Sequence, residues 1–256
     1  KKIPFNEVIK LASNENPLGP SPKAIQAMQD ALPSVHLYPD GNVFYLKNKM
    51  ANHLDVSPKS LVFGNGSNEL IEWIGHVLLS EKSNIVVSQY CFAIYPIIAA
   101  MFGAQTKTVS AKHYGHDLHA MAEAVDQRTR VVFVANPNNP TGTLASKGTV
   151  TDFLGRIPDD VLIVMDEAYF EYLSDPSDLL PLIRSGKKPN LLLMRTFSKI
   201  YGLSGLRIGY GVGSPELIQR MEKVRQPFNV NAIAQAGALA ALDDQEHVGR
   251  TRPNNA

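Results

Sequence analysis

The sequence predicts an α/β fold, a mostly parallel sheet flanked by helices. Two observations predict this fold. Several short apolar runs lack polar alternation, which is typical of strands that are buried on both faces of a sheet. Stretches of helical character alternate with these runs along the chain, as they do in layered α/β architectures.

Each predicted strand is a short β-rich run flanked by turn residues. In chain order these runs are Leu61–Phe63, Ile85–Val87, Val131–Val134, Val161–Met165 and Leu191–Met194. The predicted helices are Pro22 to about Leu32, Phe44–His53, Glu69–Leu79, Pro215–Val224 and Ala232–Leu242. The last three show apolar residues at helical spacing, and Ser214 is placed to cap the helix that begins at Pro215.

The chain is expected to form one large domain preceded by an arm. Lys1–Pro22 is rich in Pro, Asn and Gly, which predicts an arm rather than a packed element. We therefore assign residues 1–35 to an N-terminal arm and first helix, and residues 36–256 to the large domain. The stretch 243–256 is expected to trail off. The most apolar run, Phe92–Ala104, is interrupted by Pro96 and is too short to span a bilayer.

Composition argues against several classes of partner. The formal net charge is +1 with acids and bases mixed along the chain, so there is no electrostatic case for nucleic acid or membrane binding. Cys91 is the only cysteine, which excludes an internal disulfide and a multi-cysteine metal site and fits a reducing compartment such as the cytoplasm. His113, His116 and His119 are interpreted as a solvated surface cluster, so no metal site is expected.

The segment Gly64–Leu70 carries the first candidate binding motif. A buried strand leads into a glycine-rich turn and then into an amphipathic helix, an arrangement that leaves free backbone N–H groups for an anion. A phosphate at Gly66, Ser67 and Asn68 is one interpretation, and a tight turn with Ser67 as N-cap is the other. The motif is not a dinucleotide fingerprint, because Glu69 stands where the third glycine belongs.

Two further motifs follow buried strands. Asn136–Gly142 contains two X-Pro bonds and could form a rigid, possibly cis, turn that fixes an Asn amide, or it could be a simple connection. Asp166 ends a strand, where a carboxylate is costly to bury unless a cation or several hydrogen bonds accompany it. A protonated pyridine nitrogen is one candidate partner, and backbone N–H groups are the alternative.

Lys199 lies just beyond another buried strand, among Phe197, Ile200 and small residues. Burial there could lower the pKa of its amine, as a lysine that forms a Schiff base requires. Ser198 and Arg207 could converge on the same phosphate as the helix N-terminus. The alternative is a solvated surface charge.

The four motifs are more informative together than separately. Each follows a different strand, so all four are expected at one edge of the sheet, where ligands bind in open α/β folds. They offer an anion cup, an amide, a buried carboxylate and an aldehyde-reactive amine. Pyridoxal phosphate (PLP) needs this combination.

The spacing of these residues resembles the fold-type-I PLP aminotransferases. Ser198-Lys199 is followed eight residues later by Arg207, Asp166 is followed three later by Tyr169, and Asn139 opens an Asn-Pro-Thr-Gly motif. More narrowly, four segments resemble the histidinol-phosphate aminotransferases. These segments are Leu11–Pro20, Tyr38–Gly41, Gly64–Glu69 and Asp166–Tyr172.

The resemblance implies a role for each matching residue. Lys199 would carry the cofactor and shuttle the proton, Asp166 would hold the pyridine nitrogen protonated, and Tyr169 and Asn139 would hydrogen-bond O3′. Phe92 would stack on the ring and Asn14 would contact substrate. Tyr38 would reach the phosphate of a neighbouring subunit, which implies a homodimer. The residues implied to hold the phosphate within the chain are Gly66, Ser67, Asn68, Thr196, Ser198 and Arg207.

The implied reaction is ping-pong transamination of histidinol phosphate with 2-oxoglutarate, giving imidazole-acetol phosphate and glutamate in histidine biosynthesis. The alternatives are a related enzyme acting on another amine, such as an aromatic amino-acid aminotransferase or a threonine-phosphate decarboxylase, and a PLP-binding or dimerising fragment without full activity. The family continues into a small C-terminal domain that supplies a carboxylate-binding arginine. We therefore expect this chain to be the large domain, with the small domain largely absent and activity reduced.

Overall fold

A seven-stranded mixed sheet forms the centre of the computed structural model, which describes Pro4, Val8, Lys10 and residues 12–255. The strands are β1 (Leu61–Gly64), β2 (Asn84–Ser88), β3 (Gln105–Val109), β4 (Thr129–Ala135), β5 (Leu162–Asp166), β6 (Leu191–Thr196) and β7 (Gly209–Gly213). Their order is β1-β7-β6-β5-β4-β2-β3. Strands β2 to β6 are parallel, and β7 runs antiparallel to both of its neighbours. The predicted fold class is confirmed.

Helices cover both faces of the sheet. They are α1 (Pro22–Ala31), α2 (Phe44–Leu54), α3 (Ser67–Leu78), α4 (Ile94–Met101), α5 (Leu118–Glu123), α6 (Lys147–Arg156), α7 (Leu180–Arg184), α8 (Pro215–Glu222), α9 (Ala232–Ala241) and α10 (Gln245–Thr251). Ser214 accepts a hydrogen bond from the Leu217 N–H and caps α8, as predicted.

The alternation of side chains along each strand divides the core into two clusters. Face A carries Val164 and Leu192 and packs against α3, α4 and α8. Face B carries Ile163 and Leu193 and packs against α2, α5, α6 and α9. Trp73 of α3 is buried in face A. Both faces of the central strands are therefore apolar, which is why those strands lack polar alternation.

Two strands, β3 and β7, and five helices, α4, α5, α6, α7 and α10, escaped the sequence interpretation. β3 lies at the sheet edge with its residues partly exposed, so Gln105–Val109 carries polar side chains that an apolar-run criterion misses. β7 contains three glycines in five residues, a composition that argues against a strand. The expectation that residues 243–256 trail off is wrong for Gln245–Thr251, which form α10 with Asp244 as its N-cap.

Residues 13–15 of the arm line the cleft at the carboxyl end of the sheet. Residues 12–21 form turns, and the buried Asn16 side chain donates a hydrogen bond to the carbonyl oxygen of Ile200 at 2.9 Å. Leu11, the first residue of the arm motif, lies outside the described residues. In the described part of the chain, no helix combines the length and apolarity needed to cross a bilayer.

Candidate active site

A cleft of about 600 Å³ opens at the carboxyl ends of β4, β5 and β6. This volume lies within the ordinary range for small-molecule sites. Most of the residues singled out from the sequence line it. Those residues are Asn14, Ser67, Asn68, Phe92, Asn139, Asp166, Tyr169, Thr196, Ser198, Lys199 and Arg207. The order of the parallel strands brings them together from segments almost 200 residues apart.

An anion cup, formed by Gly66, Ser67, Asn68, Ser198 and Arg207, occupies one end of the cleft. Gly66 precedes the first turn of α3 with φ of 75°, and Ser67 and Asn68 of that turn line the cleft. The first N–H groups of a helix have no partner within it. A Cβ on Gly66 would clash with the Arg207 guanidinium. The Arg207 Nη1 lies 3.4 Å from the Ser198 Oγ. The alternative interpretation, Ser67 as N-cap, is wrong because Gly66 holds that position.

The cup is closed by a backbone approach between α3 and β7. A Cβ on Gly209 would lie 2.5 Å from the Ser67 nitrogen, so only glycine allows the strand to pass so near the helix. Thr196 accepts a hydrogen bond from the Ser198 N–H at 3.0 Å, which shapes the turn that carries Ser198 into the cup. The cup therefore depends on the contact between β7 and the start of α3.

Asp166 supplies a buried carboxylate at the floor of the cleft. Its Oδ2 accepts a hydrogen bond from the Tyr95 hydroxyl at 2.7 Å, and its Oδ1 accepts one from the Ala168 N–H at 3.2 Å. Burial raises the pKa of Asp166, while these hydrogen bonds and the Lys199 charge oppose that shift. A cation placed in the cleft would therefore be bound by a carboxylate that is short of positive partners.

Tyr95 was not predicted as a site residue. It is fully buried in α4 and stacks on Phe133 with the ring centroids 4.5 Å apart. In the sequence it is one aromatic residue in an apolar run, where core packing is the ordinary interpretation. Only the fold shows that its hydroxyl reaches Asp166.

Lys199 faces Asp166 from the loop after β6. Its Nζ donates hydrogen bonds to the carbonyl oxygens of Ser13 and Asn14, at 3.2 and 3.3 Å. Burial lowers the pKa of the Lys199 amine, and the nearby Arg207 charge lowers it further. The Asp166 and Glu15 charges oppose this shift, whose net direction is the one that the sequence interpretation requires of a Schiff-base lysine.

Tyr169 lies beside Lys199, whose Nζ is 5.5 Å from the centroid of the tyrosine ring. The Tyr169 hydroxyl accepts a hydrogen bond from the Asn14 side-chain amide at 2.8 Å. Burial raises the pKa of Tyr169, and the Asn14 hydrogen bond opposes that shift. Asn14 and Tyr169 therefore form a polar wall on the side of the cleft nearest the arm.

The loop after β4 completes the lining. Asn139 faces the cleft, and the Asn136–Pro137 and Asn139–Pro140 peptide bonds are both cis, as the sequence interpretation allowed. The buried Asn138 side chain donates to the Tyr90 carbonyl oxygen at 2.7 Å and anchors the loop to the segment before α4. Phe92, on that segment, also lines the cleft.

Tyr38 lies away from the cleft of its own chain. Its side chain is 83% exposed and stacks on Phe228 with a centroid separation of 4.7 Å. Several other large apolar side chains of this region are also exposed. They are Leu32, Val35, Leu37, Phe44 and Tyr45.

The histidine cluster does not form as expected. His116 is mostly buried, and its Nε2 lies 2.9 Å from the carbonyl oxygen of Ala135. Burial lowers the pKa of His116. His113 and His119 are exposed, and His119 pairs with Glu123 at 3.3 Å. The interpretation as a solvated cluster is therefore wrong for His116, which supports the strand end beside the cleft.

Comparison with known proteins identifies the family. Residues 6–254 match the model for aminotransferase class I and II. The chain is 49% identical over 247 residues to histidinol-phosphate aminotransferase 1 of Nitrosococcus oceani, covering 96% of this chain and 67% of that protein. It is 46% identical over 258 residues to the histidinol-phosphate aminotransferase of Moorella thermoacetica, covering 100% of this chain and 67% of the relative.

A solved structure is similar in fold and sequence. The histidinol-phosphate aminotransferase of Sinorhizobium meliloti, in complex with pyridoxal-5′-phosphate, superposes with a TM-score of 0.89 at 34% identity. The match covers 94% of this chain and 66% of that one, so this chain spans about two thirds of the length of its relatives. The chain belongs to the aminotransferase class I and II family. The family resemblance inferred from the motifs is confirmed.

Proposed function

We propose that this chain binds PLP at Lys199 and takes part in amino-group transfer between histidinol phosphate and 2-oxoglutarate. The observation that carries the proposal is the pairing, in one cleft, of a buried Asp166 carboxylate with a half-buried Lys199 amine. Relatives 46% and 49% identical carry the name histidinol-phosphate aminotransferase. The relatives' name supports histidinol phosphate as the substrate, and the residues of the cleft support PLP-dependent amino-group transfer.

The residues of the cleft fit PLP. The anion cup offers the first N–H groups of α3, a hydroxyl and a guanidinium, a donor set suited to a phosphate. Gly66 leaves room beside Arg207 that a side chain would fill. Asp166 suits the pyridine nitrogen, and Asn139 and Tyr169 are hydrogen-bonding groups for the ring hydroxyl. When bound, PLP supplies an aldehyde that condenses with an amine and a protonated ring that accepts electrons.

The chain's own residues would then carry out proton transfer and orientation. Asp166 in its ionised form would keep a positive charge on the ring nitrogen, since few other groups in the buried floor compensate its charge. The Lys199 amine, free after substrate binds, would take a proton from the substrate Cα and deliver it to C4′ of the cofactor. Asn14 would orient the Tyr169 hydroxyl and contact substrate, and Phe92 would pack on the ring face.

We also propose a homodimer in which Tyr38 reaches the cup of the second subunit. The number of large exposed apolar side chains between residues 32 and 45 supports it, because exposed apolar surface often marks interaction sites. Tyr38 is too far from the cleft of its own chain to line it. A cytoplasmic location is proposed on the single cysteine, Cys91.

Reductive trapping tests the cofactor assignment. The protein is loaded with PLP, treated with borohydride, digested and mapped by mass spectrometry. We expect the label on Lys199, no label in Lys199→Ala, and a normal label in Lys187→Ala, which changes an exposed lysine. Label on another lysine, with Lys199 unmodified at full occupancy, would refute the assignment.

Substrate competition tests the reaction. The loaded protein is mixed with histidinol phosphate, phenylalanine or threonine phosphate, and the decay of the cofactor absorbance is followed in a single turnover. We expect histidinol phosphate to react fastest. Faster reaction with phenylalanine or threonine phosphate would instead support a related enzyme of the same family.

A further inference from the structure

A buried ion pair lies directly behind the cleft. The Arg195 Nε donates to the Glu167 Oε2 at 2.8 Å, and both side chains are only 4% exposed. Each member adjoins a site residue in the chain, because Glu167 follows Asp166 and Arg195 precedes Thr196. Since side chains alternate along a strand, Asp166 and Thr196 face the cleft on face A while the ion pair lies on face B.

The pair connects the two strand ends that carry the chemistry. Asp166 ends β5, and Lys199 follows the end of β6 by three residues. The Glu167 N–H also donates to the Met194 carbonyl oxygen at 2.8 Å, which continues the ladder between these strands for one residue. The ion pair adds a side-chain connection where the regular ladder stops.

Arg195 also holds the turn that follows Tyr169. Its guanidinium carbon lies 3.6 Å from the centroid of the Phe170 ring, a cation–π contact. Phe170 begins a short 3-10 helix, Phe170–Tyr172, and its N–H donates to the Glu167 carbonyl oxygen at 3.0 Å. The same guanidinium therefore touches the segments that carry Asp166, Lys199 and Tyr169.

We propose that Glu167 and Arg195 are positioning residues that set the geometry between Asp166, Tyr169 and Lys199. The inference rests on the proposed function, because it concerns how the lysine meets the cofactor. Neither residue touches the cleft, so both act through their neighbours. A buried pair of this kind is weak support for stability, because apolar residues of similar volume often stabilise a fold equally well. The directional hydrogen bond between Arg195 and Glu167 fixes the relative position of the two strand ends, and an apolar pair has no such bond.

The double variant Glu167→Met/Arg195→Met separates positioning from stability. We expect a melting temperature of the cofactor-free protein close to that of the wild type, because the cost of burying two charges is removed together with their attraction. We expect the rate of cofactor linkage to Lys199 to fall about tenfold to a hundredfold, the scale of a displacement near 1 Å. The pH midpoint of the linked-cofactor absorbance should shift. Hydrogen exchange of residues 168–173 should accelerate in the cofactor-free protein.

Glu167→Gln is the matched control and should show the reverse pattern. The amide oxygen still accepts from the Arg195 Nε, so the linkage rate and the pH midpoint should stay close to wild type. The melting temperature should fall, because the buried guanidinium loses its counter-charge. A purely structural pair would instead make the linkage rate follow the melting temperature in both variants.

Wild-type linkage rate, midpoint and hydrogen exchange in the double variant would overturn the proposal. If that variant does not fold, Glu167→Asp decides, because it keeps both charges and withdraws the carboxylate by one methylene. A shifted midpoint in Glu167→Asp supports positioning, and an unchanged midpoint overturns it. A wild-type protein that forms no linkage at Lys199 would instead refute the proposed function, so the two failures are distinguishable.

Discussion

The Tyr95→Phe substitution tests how Asp166 is kept ionised. The change removes one hydroxyl from a fully buried ring and leaves the stacking on Phe133 intact. The lost hydrogen bond, 2.7 Å long, stabilises the carboxylate form of Asp166 but not its acid form in the same way. Hydrogen bonds to charged groups contribute about 1.5–3 kcal/mol, which changes the ratio of carboxylate to acid roughly tenfold to a hundredfold.

The sign of the pH dependence follows from that ratio. Burial already raises the pKa of Asp166, and the Tyr95 hydroxyl opposes the rise, so its removal raises the pKa further. A larger fraction of the Asp166 carboxyl group is then protonated at any pH below the new pKa. PLP binding requires the carboxylate, so this proton must be released when PLP binds. We expect weaker PLP binding in Tyr95→Phe, with the largest loss at low pH and recovery as the pH rises.

The assay is spectral titration with PLP at a series of pH values from 6 to 9. Tyr201→Phe is the control, because Tyr201 is also buried but belongs to the core cluster of face B. A ratio of Tyr95→Phe to wild-type affinity that does not change with pH would refute the reasoning. Equal losses in the two variants would also refute it, since they would indicate a general effect of removing a buried hydroxyl.

Three other substitutions have defined outcomes. Gly66→Ala should weaken PLP binding about tenfold, because the added methyl group would displace the Arg207 guanidinium, and titration with PLP measures this. It should also destabilise the fold by roughly 1–3 kcal/mol, because φ 75° with ψ 168° is a conformation that only glycine adopts readily. Glu171 is half-buried as a residue, but its Oε2 is enclosed, and this burial raises its pKa from 4.5 to about 7. The protonated side chain should therefore contribute to the free energy of unfolding below pH 4.5, and that contribution should be lost as the pH rises through 7. Relative to Glu171→Gln, denaturant unfolding of the wild type should show a loss of roughly 3 kcal/mol across that window, and parallel curves would contradict it. Burial lowers the pKa of His116, so the folded protein should lose stability as the pH falls below 6.5. His116→Gln should reduce that loss, whereas His119→Gln, at an exposed histidine, should not. Melting temperatures measured at several pH values check this.

The central strands could be predicted from the sequence because burial on both faces leaves a simple pattern. Val131–Val134 and Leu191–Met194 are apolar without interruption. β3 and β7 could not be predicted in this way. The first is an edge strand with polar residues. The glycines of the second reflect close packing rather than strand propensity, since Gly209 lies against the Ser67 backbone and Gly211 against the Leu70 side chain.

The site was predicted as far as its residues follow strands directly. Asp166 and Lys199 could be found because a charged residue after a buried strand is unusual and demands a partner. Tyr95 and His116 could not be assigned, since their partners, Asp166 and Ala135, are 71 and 19 residues away in the chain. Their roles arise from tertiary packing, for which a single sequence carries no local signal.

The position of β1 has a consequence for biosynthesis. Among the described strands, β1 lies at the edge of the sheet and pairs with β7, which follows the other six in the sequence. During translation, the turn at Gly66 therefore lacks its contacts with Arg207 and Gly209 until these residues, more than 140 codons downstream, have been synthesised. A nascent chain that ends before those codons therefore lacks part of the anion cup. Binding of PLP would therefore report that β1 and β7 have paired.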